Sequence, residues 1–561
     1  MTIIFLGRKL SGRFVIPSGI ITTRVPTIER VAEMIPEIGV ITTKSVGVEP
    51  EPGYREPILC QDSPLNFVNA VGLPSPGMEE FFSEFSKMRK RHSNDSLFDE
   101  KFLMVSIYGK TEEEFQNLIK RLAPVADGFE LNLSCPHSKP GYGANIGSHP
   151  TTTFSFTRSA VEVARPYNIP VFVKLTPNVE DIGNIAQAAV SAGAAGITAI
   201  NTVGPIEYRD PVSREVVLTH GTGGKSGHWI KDIGAKAVTL IRESVGPSIP
   251  IIGMGGIASA EDAQAYKNAD LYGVGSVLAG LSLEEIADFF RRLEKDMQNG
   301  TGTAPSRLRH ENLMDYRKFT IRKIKEVDTD LRVFTLDGRA DFLPSQFFFL
   351  WLPGEGEKPF SPGIIEPLTF AIRKRGILTE KFFSLKEGDT LMLRGPYGRG
   401  FDPLPWDNIY ILAGGTGSAA ALSLATLASK QGKNVVVFQG CTSEKQVLFE
   451  KEFHSIGRFI PGIDRNEPGE VIAVMRYILE RDGVPEKSVF FNIGPEIMMK
   501  EGMELESLYL GDDSIFASVE RETFCGVGLC GACELNGYRT CIRGTVFSRF
   551  HLNKFQDGGI T

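Results

Sequence analysis

From the start of the chain to about residue 295, short and nearly uniform apolar runs rich in β-branched residues alternate with helical segments. The runs FVIPS, IGVITTK, FLMVSIY, GFELNLS, VFVKL, AGITAI, IPIIGMG and ADLYGVG read as strands. A strand without polar alternation is buried on both faces. Eight of them separated by helices predict a parallel sheet closed into a barrel and shielded by outer helices. The fold class expected for this part is therefore α/β, a (β/α)8 barrel of the TIM type, with functional residues just after each strand.

The pattern then changes. The stretch DMQNGTGTAPSRLRHENLMDYRK is polar, rich in Gly, Pro and charge, and without apolar period, so it reads as a linker with the domain break near residue 305. Beyond it, FTIRKI, LRVFTL, QFFFLWL, LTFAIR and DTLMLRG are separated by turn residues and predict a small antiparallel barrel to about residue 405. IYILAGGTGSAAALSLATLAS follows as strand, glycine turn and Ala/Leu helix. Its Gly414, Gly415, Thr416 and Gly417 stand where helix amides bind a pyrophosphate, although a tight turn needs glycine on steric grounds as well. NVVVFQG and VFFNIG continue an open α/β sheet. The expected division is a barrel domain over 1–300, a linker over 301–316, a β-barrel over 317–405, an α/β domain over 406–512 and a small terminal unit over 513–561.

A length of 561 residues suits about four domains, and a net charge of −7 without a basic run leaves no electrostatic footprint for nucleic acid. The opening MTIIFLGRKLSGRFVIPSG has its apolar patch interrupted by Arg8 and Lys9, unlike a signal peptide, and no run has membrane-spanning length. Neither a nucleic acid nor a membrane is an expected partner. Four of the seven cysteines, Cys525, Cys530, Cys533 and Cys541, form a C-x4-C-x2-C-x7-C array in ERETFCGVGLCGACELNGYRTCIRG. Glycines there let the backbone turn tightly enough to aim neighbouring sulfurs at iron, and the opening spacing is that of a plant-type [2Fe–2S] cluster. Structural zinc more often uses two C-x2-C knuckles. The scattered Cys60, Cys135 and Cys441 fit a reducing cytoplasm.

In the barrel, Asn132 and Cys135 follow the strand GFELNL. A thiol with an ordinary pKa near 8.5 can exchange a proton with a carbon acid where the thiolate is stabilised; the alternative is an inert core cysteine. Lys44 with Ser45, Lys174, Asn201 with Thr202, and Asn69 occupy comparable positions after strands. A lysine ending an apolar barrel strand calls for an anionic ligand or an electron-rich ring. GTGGKSG, GMGGIAS and GVGS supply the glycine loops from which such barrels form phosphate sites. A phosphorylated planar cofactor, most simply FMN, meets both demands.

Through VIPSG, TTKS, NAVGLPSPG, ELNLSCP, VKLTPNVEDI, INT, GTGGKSG, IIGMGGI and GVGS, residues 1 to about 295 resemble the catalytic subunit of dihydroorotate dehydrogenase. The remainder resembles the electron-transfer subunit of the NAD-linked class, a ferredoxin-reductase-like FAD and NAD module ending in a [2Fe–2S] domain, so that two ordinarily separate polypeptides are fused. The resemblance implies oxidation of dihydroorotate to orotate in de novo pyrimidine biosynthesis by a cytoplasmic homodimer. Cys135 would be the base, and Lys44, Asn69, Ala70, Val71, Gly72, Leu73, Asn132, His137, Asn201 and Thr202 would bind substrate. FMN would contact Ser18, Gly19, Lys44, Ser45, Asn132, Lys174, Ile200, Gly227, Gly255, Gly256, Gly275 and Ser276. FAD would lie against Pro367, Leu368, Thr369, Gly376 and Thr379, NAD against Gly414 to Gly417, and the four terminal cysteines would hold the cluster.

Three positions depart from the family pattern. His137 replaces an asparagine that contacts substrate; SCPH, with KLTPNV and INT, also matches dihydropyrimidine dehydrogenase, whose substrates lack the orotate carboxylate. Ser106 stands where a flavin-contacting asparagine is common. Glu366 replaces the arginine of the R-P-x-[ST] FAD fingerprint, which removes a cation beside the dinucleotide phosphates, although Arg373, Lys374 or Arg375 could restore the charge. The competing readings are a dihydropyrimidine dehydrogenase with the same cofactors and an electron-transfer adaptor without catalysis.

Overall fold

The computed structural model describes residues 3–134, 144–300, 311–464 and 469–555. The chain divides into two compact units: Met1–Asp210, Glu215–Met314 and Val527–Ala532 form the first, and Pro211–Arg214, Asp315–Gly526 and Cys533–Thr561 the second.

The first unit is built on a closed barrel of eight parallel strands arranged in chain order: Phe14–Ile16, Ile38–Thr42, Phe102–Ile107, Gly128–Asn132, Val171–Leu175, Gly196–Ala199, Ile251–Met254 and Leu271–Gly273. Each falls within one of the eight apolar runs. Burial on both faces explains the runs, because the inner faces fill the barrel while the outer ones meet the helices. The helix Leu283–Asn299 shows the local logic. Ser282 and Glu285 close a capping box, Ile286, Phe289, Phe290 and Leu293 face inward, and Gly300 ends the helix at φ +68°.

An antiparallel hairpin, Ile3–Phe5 with Arg8–Leu10, plugs the end at which the strands begin; Phe5 meets Phe102 edge to face at 5.5 Å and joins Phe172 and Met104 in one apolar cluster. Chemistry is thereby left to the opposite mouth. Lys101 shows that a buried lysine beside a barrel strand can be purely structural. It precedes the third strand, donates to the carbonyls of Ile35 and Ile38 at 2.9 and 2.7 Å, and is pushed down to about 8 by burial. A second sheet of four strands, Leu59–Ser63, Asn66–Asn69, Gly223–Gly227 and Val203–Ile206, was not expected from sequence.

The second unit contains a seven-stranded antiparallel sheet, ordered Gly356–Phe360, Phe347–Leu352, Thr390–Tyr397, Arg317–Asp328, Leu331–Leu336, Leu368–Arg373, Pro362–Ile364. Its six-stranded partner runs Arg458–Ile463, Asn434–Cys441, Asn408–Gly414, Ser488–Ile493, Ile515–Ser518, all parallel, with Val546–Ser548 antiparallel at one edge. Successive residues of Asn408–Gly414 feed separate cores: Ile409, Ile411 and Ala413 enter one, Tyr410 and Leu412 the other. Period-2 geometry with both faces covered is why this strand reads as continuously apolar.

Glu506, at the end of the helix Glu496–Glu506, is fully buried and accepts a 2.7 Å hydrogen bond from Asn492 Nδ2; burial pushes its carboxyl up to about 8. The folded state thus keeps a proton that the unfolded chain releases near 4.5. The stabilisation is complete below that value and is lost progressively as pH rises towards 8, by on the order of 4 kcal/mol. Glu506→Gln is expected to flatten this slope and to raise the melting temperature at pH 8 by roughly 5 °C or more. Melting curves across pH 5–9 that remain parallel for both proteins would show that Glu506 is not the titrating group.

Candidate active site

At the mouth of the barrel, Ser45 is the hub. Its Oγ lies 3.1 Å from Ser18 Oγ and 2.8 Å from Ser106 Oγ, and it accepts from Asn132 Nδ2 at 3.0 Å. Ser106 Oγ donates to Glu130 Oε1 at 3.2 Å, and Lys174 Nζ stands 3.8 Å from the same oxygen. Strand register produces this convergence. Ser106 pairs with Glu130, Asn132 with Lys174, and Lys174 with Thr198, and parallel neighbours project to one side of the sheet.

The chain of contacts continues to the next strand ends. Ser134 Oγ donates to Asn132 Oδ1 at 3.5 Å, Asn201 Nδ2 donates to Ser134 Oγ at 2.9 Å, and Asn201 Oδ1 accepts from the Thr202 amide at 2.8 Å. Ser18, Ser45, Asn132, Lys174, Asn201 and Thr202 are therefore brought together. Asn178, which the sequence reading passed over, donates to Thr202 O at 3.0 Å. Glu130 and Ser134 were also missed. Both lie two residues from Asn132, the strand period that places side chains on a common side, and that spacing was the available signal.

Glycines shape the rim. A Cβ on Gly227 (φ +104°) would fall 1.9 Å from Leu65 O, and one on Gly256 (φ +75°) 2.7 Å from Gly227 O, so only glycine allows these loops to meet. Gly255 O accepts from Tyr266 OH at 2.5 Å, Ile200 N donates to Met254 O at 3.0 Å, and Ser276, beside Gly275, donates to Ser226 Oγ at 3.2 Å. Gly19 lies under Lys44, whose Nζ would be 3.2 Å from a Cβ placed there. Thr198, in register with Lys174, keeps a buried hydroxyl without a hydrogen-bond partner among the described residues. Two cations, a file of short polar side chains, an orphaned hydroxyl and close glycine loops fit a planar phosphorylated cofactor such as FMN.

Asn69 donates to Gly224 O at 3.1 Å from the four-stranded sheet. The segment after it is pinned by backbone: Ala70 N donates to Ile58 O, Val71 O accepts from Tyr54 N, and Leu73 O accepts from Tyr108 OH at 3.0 Å. Gly72 packs against Tyr54, whose ring stacks on His220 at 4.0 Å. Cys135 and His137 lie outside the described residues.

In the second unit, the glycines of the GGTG turn have separable reasons. A Cβ on Gly414 would meet Pro495 at 2.8 Å and one on Gly417 would meet Ile493 O at 3.0 Å, whereas Gly415 (φ +53°) faces open space. Thr416 precedes the helix Gly417–Lys430 without a side-chain cap, and the first-turn amides of Ser418 and Ala419 donate to Gly415 O and Thr416 O at 3.2 and 3.1 Å. Thr369 donates to Pro367 O at 2.9 Å, beside Leu368. Thr379 caps its own helix, accepting from the amides of Arg375 and Gly376 at 2.8 and 3.0 Å. Arg373 is ion-paired with Asp330 at 2.5 Å, and Glu366 stands 3.9 Å from Arg339. Of the cations offered in place of the fingerprint arginine, Arg373 is thus already matched by a carboxylate.

Cys525, Cys533 and Cys541 are buried in this unit, with Cys533 Sγ 3.3 Å from Cys541 Sγ. Cys541 is pushed well above the ordinary thiol range, chiefly by hydrogen bonding with Cys525 and then with Cys533, so the three thiols converge. Cys530 is partly exposed within the segment grouped with the first unit. Among the described residues no set of three or more His, Cys, Asp or Glu side chains is arranged to hold a single metal ion. A two-iron cluster asks instead for thiolates in pairs, and a tetrahedral ion with bonds of about 2.3 Å separates its two sulfurs by roughly 3.8 Å, close to the Cys533–Cys541 spacing. Among the described residues no helix is long and apolar enough to cross a membrane.

Comparison with known proteins bears on the barrel half. The family model for dihydroorotate dehydrogenase matches residues 1–280. The chain is 43% identical over 231 residues to dihydroorotate dehydrogenase B (NAD(+)), catalytic subunit, of Methanocaldococcus jannaschii, a match covering 41% of this chain and 72% of that one. The protein of the same description from Pyrococcus abyssi is 40% identical over 283 residues, covering 47% of this chain and 88% of its own. A solved structure of DHODH in complex with ferulenol from Eimeria tenella aligns with a TM-score of 0.45 at 20% identity, covering 53% of this chain and 83% of that one.

Proposed function

The chain belongs to the dihydroorotate dehydrogenase family, a family of oxidoreductases, and from that premise we propose that it oxidises dihydroorotate to orotate in de novo pyrimidine biosynthesis and delivers the electrons to NAD within one polypeptide. The observation that carries this reading is the hydrogen-bonded file from Ser18 through Ser45 and Asn132 to Asn201, with Glu130 and Lys174 on its inner side. It supplies donors and acceptors in a row beside a buried cation, as binding of a flat, polar ring requires.

In this reading Cys135 removes the C5 proton of dihydroorotate. Asn69, Asn132, Asn201 and Thr202 hydrogen-bond the pyrimidine ring, and the pinned Ala70–Leu73 segment and His137 complete the set that binds substrate. Lys44 would lie between substrate and flavin. Ser18, Gly19, Ser45, Lys174 and Ile200 would hold the FMN ring, while Gly227, Gly255, Gly256, Gly275 and Ser276 would take its phosphate. FMN would supply the acceptor for the C6 hydride, a [2Fe–2S] cluster held by Cys525, Cys530, Cys533 and Cys541 would supply single-electron transfer, and FAD would supply hydride transfer to NAD. Pro367, Leu368, Thr369 and Gly376 would seat FAD, with Thr379 shaping the turn, and Gly414–Gly417 would take the NAD pyrophosphate.

His137 favours a second reading, in which a dihydropyrimidine without a carboxylate is oxidised by the same machinery. Mixing anaerobic, cofactor-loaded protein with dihydroorotate or with dihydrouracil, before any NAD is added, separates the two. Bleaching of the flavin absorbance by dihydroorotate alone is the expected result. Bleaching by dihydrouracil alone would move the protein to the second reading, and bleaching by neither would remove both.

A further inference from the structure

The second unit contains a charged residue that no step of the proposed reaction uses. Arg394, in the strand Thr390–Tyr397, is fully buried, and its partner Glu357 is 1% exposed. All five of its N–H donors are engaged. Nε and Nη2 grip the Glu357 carboxylate at 2.9 and 2.5 Å, and Tyr316 OH donates to that carboxylate at 2.6 Å. Nη1 donates to Tyr397 OH at 3.0 Å and to Cys525 O at 2.8 Å, while Nη2 also reaches Phe524 O at 3.2 Å. The guanidinium stacks on Phe349 at 3.8 Å, and a Cβ on Gly526 would meet Phe349 at 2.9 Å and Arg394 Nη1 at 3.1 Å.

The planar fork thus clamps two consecutive carbonyls at the first cysteine of the array. A buried ion pair is a poor device for stability alone, since well-packed apolar groups serve as well or better, and its best-attested use is to fix one arrangement. The pair is neutral overall but oriented, with the carboxylate behind the guanidinium and the positive end towards the Phe524–Cys525 peptide. A cluster held by four thiolates gains a negative charge on reduction, and the positive end of this dipole favours that state.

We propose that Arg394 is a positioning residue for the iron–sulfur site, holding the Cys525 turn in its ligating geometry and making the cluster easier to reduce. The inference rests on the assignment of Cys525, Cys530, Cys533 and Cys541 as cluster ligands. The full-length protein, reconstituted anaerobically with iron and sulfide, provides the test through three readouts: iron and labile-sulfide content, the rate of iron release to a chelator, and the midpoint potential followed by electron paramagnetic resonance. Arg394→Met is expected to release iron about tenfold faster or more and to shift the potential to more negative values. Glu357→Gln, which leaves the cation uncompensated, is expected to shift it to more positive values. A purely structural contact would not produce opposite signs. Wild-type release and potential in both variants would overturn the inference while leaving the cluster assignment intact, whereas a wild-type protein that takes up no iron and sulfide would overturn both. Should Arg394→Met fail to fold, Glu357→Gln decides alone, and an unmoved or more negative potential refutes the proposal.

Discussion

Cys135→Ser is expected to slow flavin reduction by dihydroorotate by about 10²- to 10⁴-fold, the usual contribution of a positioned general base. Serine keeps the size and polarity of the side chain, so substrate should still bind, but its hydroxyl does not ionise in the accessible pH range. Wild-type flavin reduction should accelerate as pH rises through the thiol pKa, ordinarily near 8.5 and lower where a cation stands close. That rise should vanish in the variant. Stopped-flow absorbance of the flavin over pH 6–9 reads both effects, and a variant with wild-type rate and pH profile would assign the base elsewhere.

The second large effect is a separation of half-reactions. Cys533→Ala removes one sulfur of the Cys533–Cys541 pair and is expected to keep the proposed four-thiolate cluster from assembling. NADH formation from dihydroorotate should fall to background, while bleaching of the flavin by dihydroorotate keeps its wild-type rate. Iron analysis of the same preparation verifies that the cluster is missing. A variant that lacks iron and still forms NADH would take the cluster out of the electron path.

Much of the barrel was legible because a strand buried on both faces has no choice of residue: IGVIT, FLMVSI and VFVKL carry the fold in their composition. The same rule exposed Lys174, which has no reason to end such a strand without a partner, but it did not name the partner. Glu130 was hidden by being polar inside an apolar run, where its meaning depends on Ser106 and Lys174 from neighbouring strands. In the second unit, Gly356–Phe360 and Pro362–Ile364 escaped because GEKPF and PGI have neither alternation nor strand propensity, and pairing with established strands makes them what they are. Ile515–Ser518 and Val546–Ser548 were passed over as parts of the cysteine segment, yet both pair in the six-stranded sheet. Arg394 reads in the sequence as one more charge in LMLRG. Only the fold brings it to Glu357, some forty residues earlier, and to Cys525, over a hundred residues later.

If one chain carries dihydroorotate oxidation through to NAD, it needs no second protein. The most direct measurement is NADH formation by the purified protein alone, loaded with FMN, FAD and cluster under anaerobic conditions and supplied with dihydroorotate and NAD. NADH and orotate are expected in equal amounts with no second polypeptide added. Flavin that bleaches with dihydroorotate while no NADH appears until a separate electron-transfer protein is supplied would contradict it.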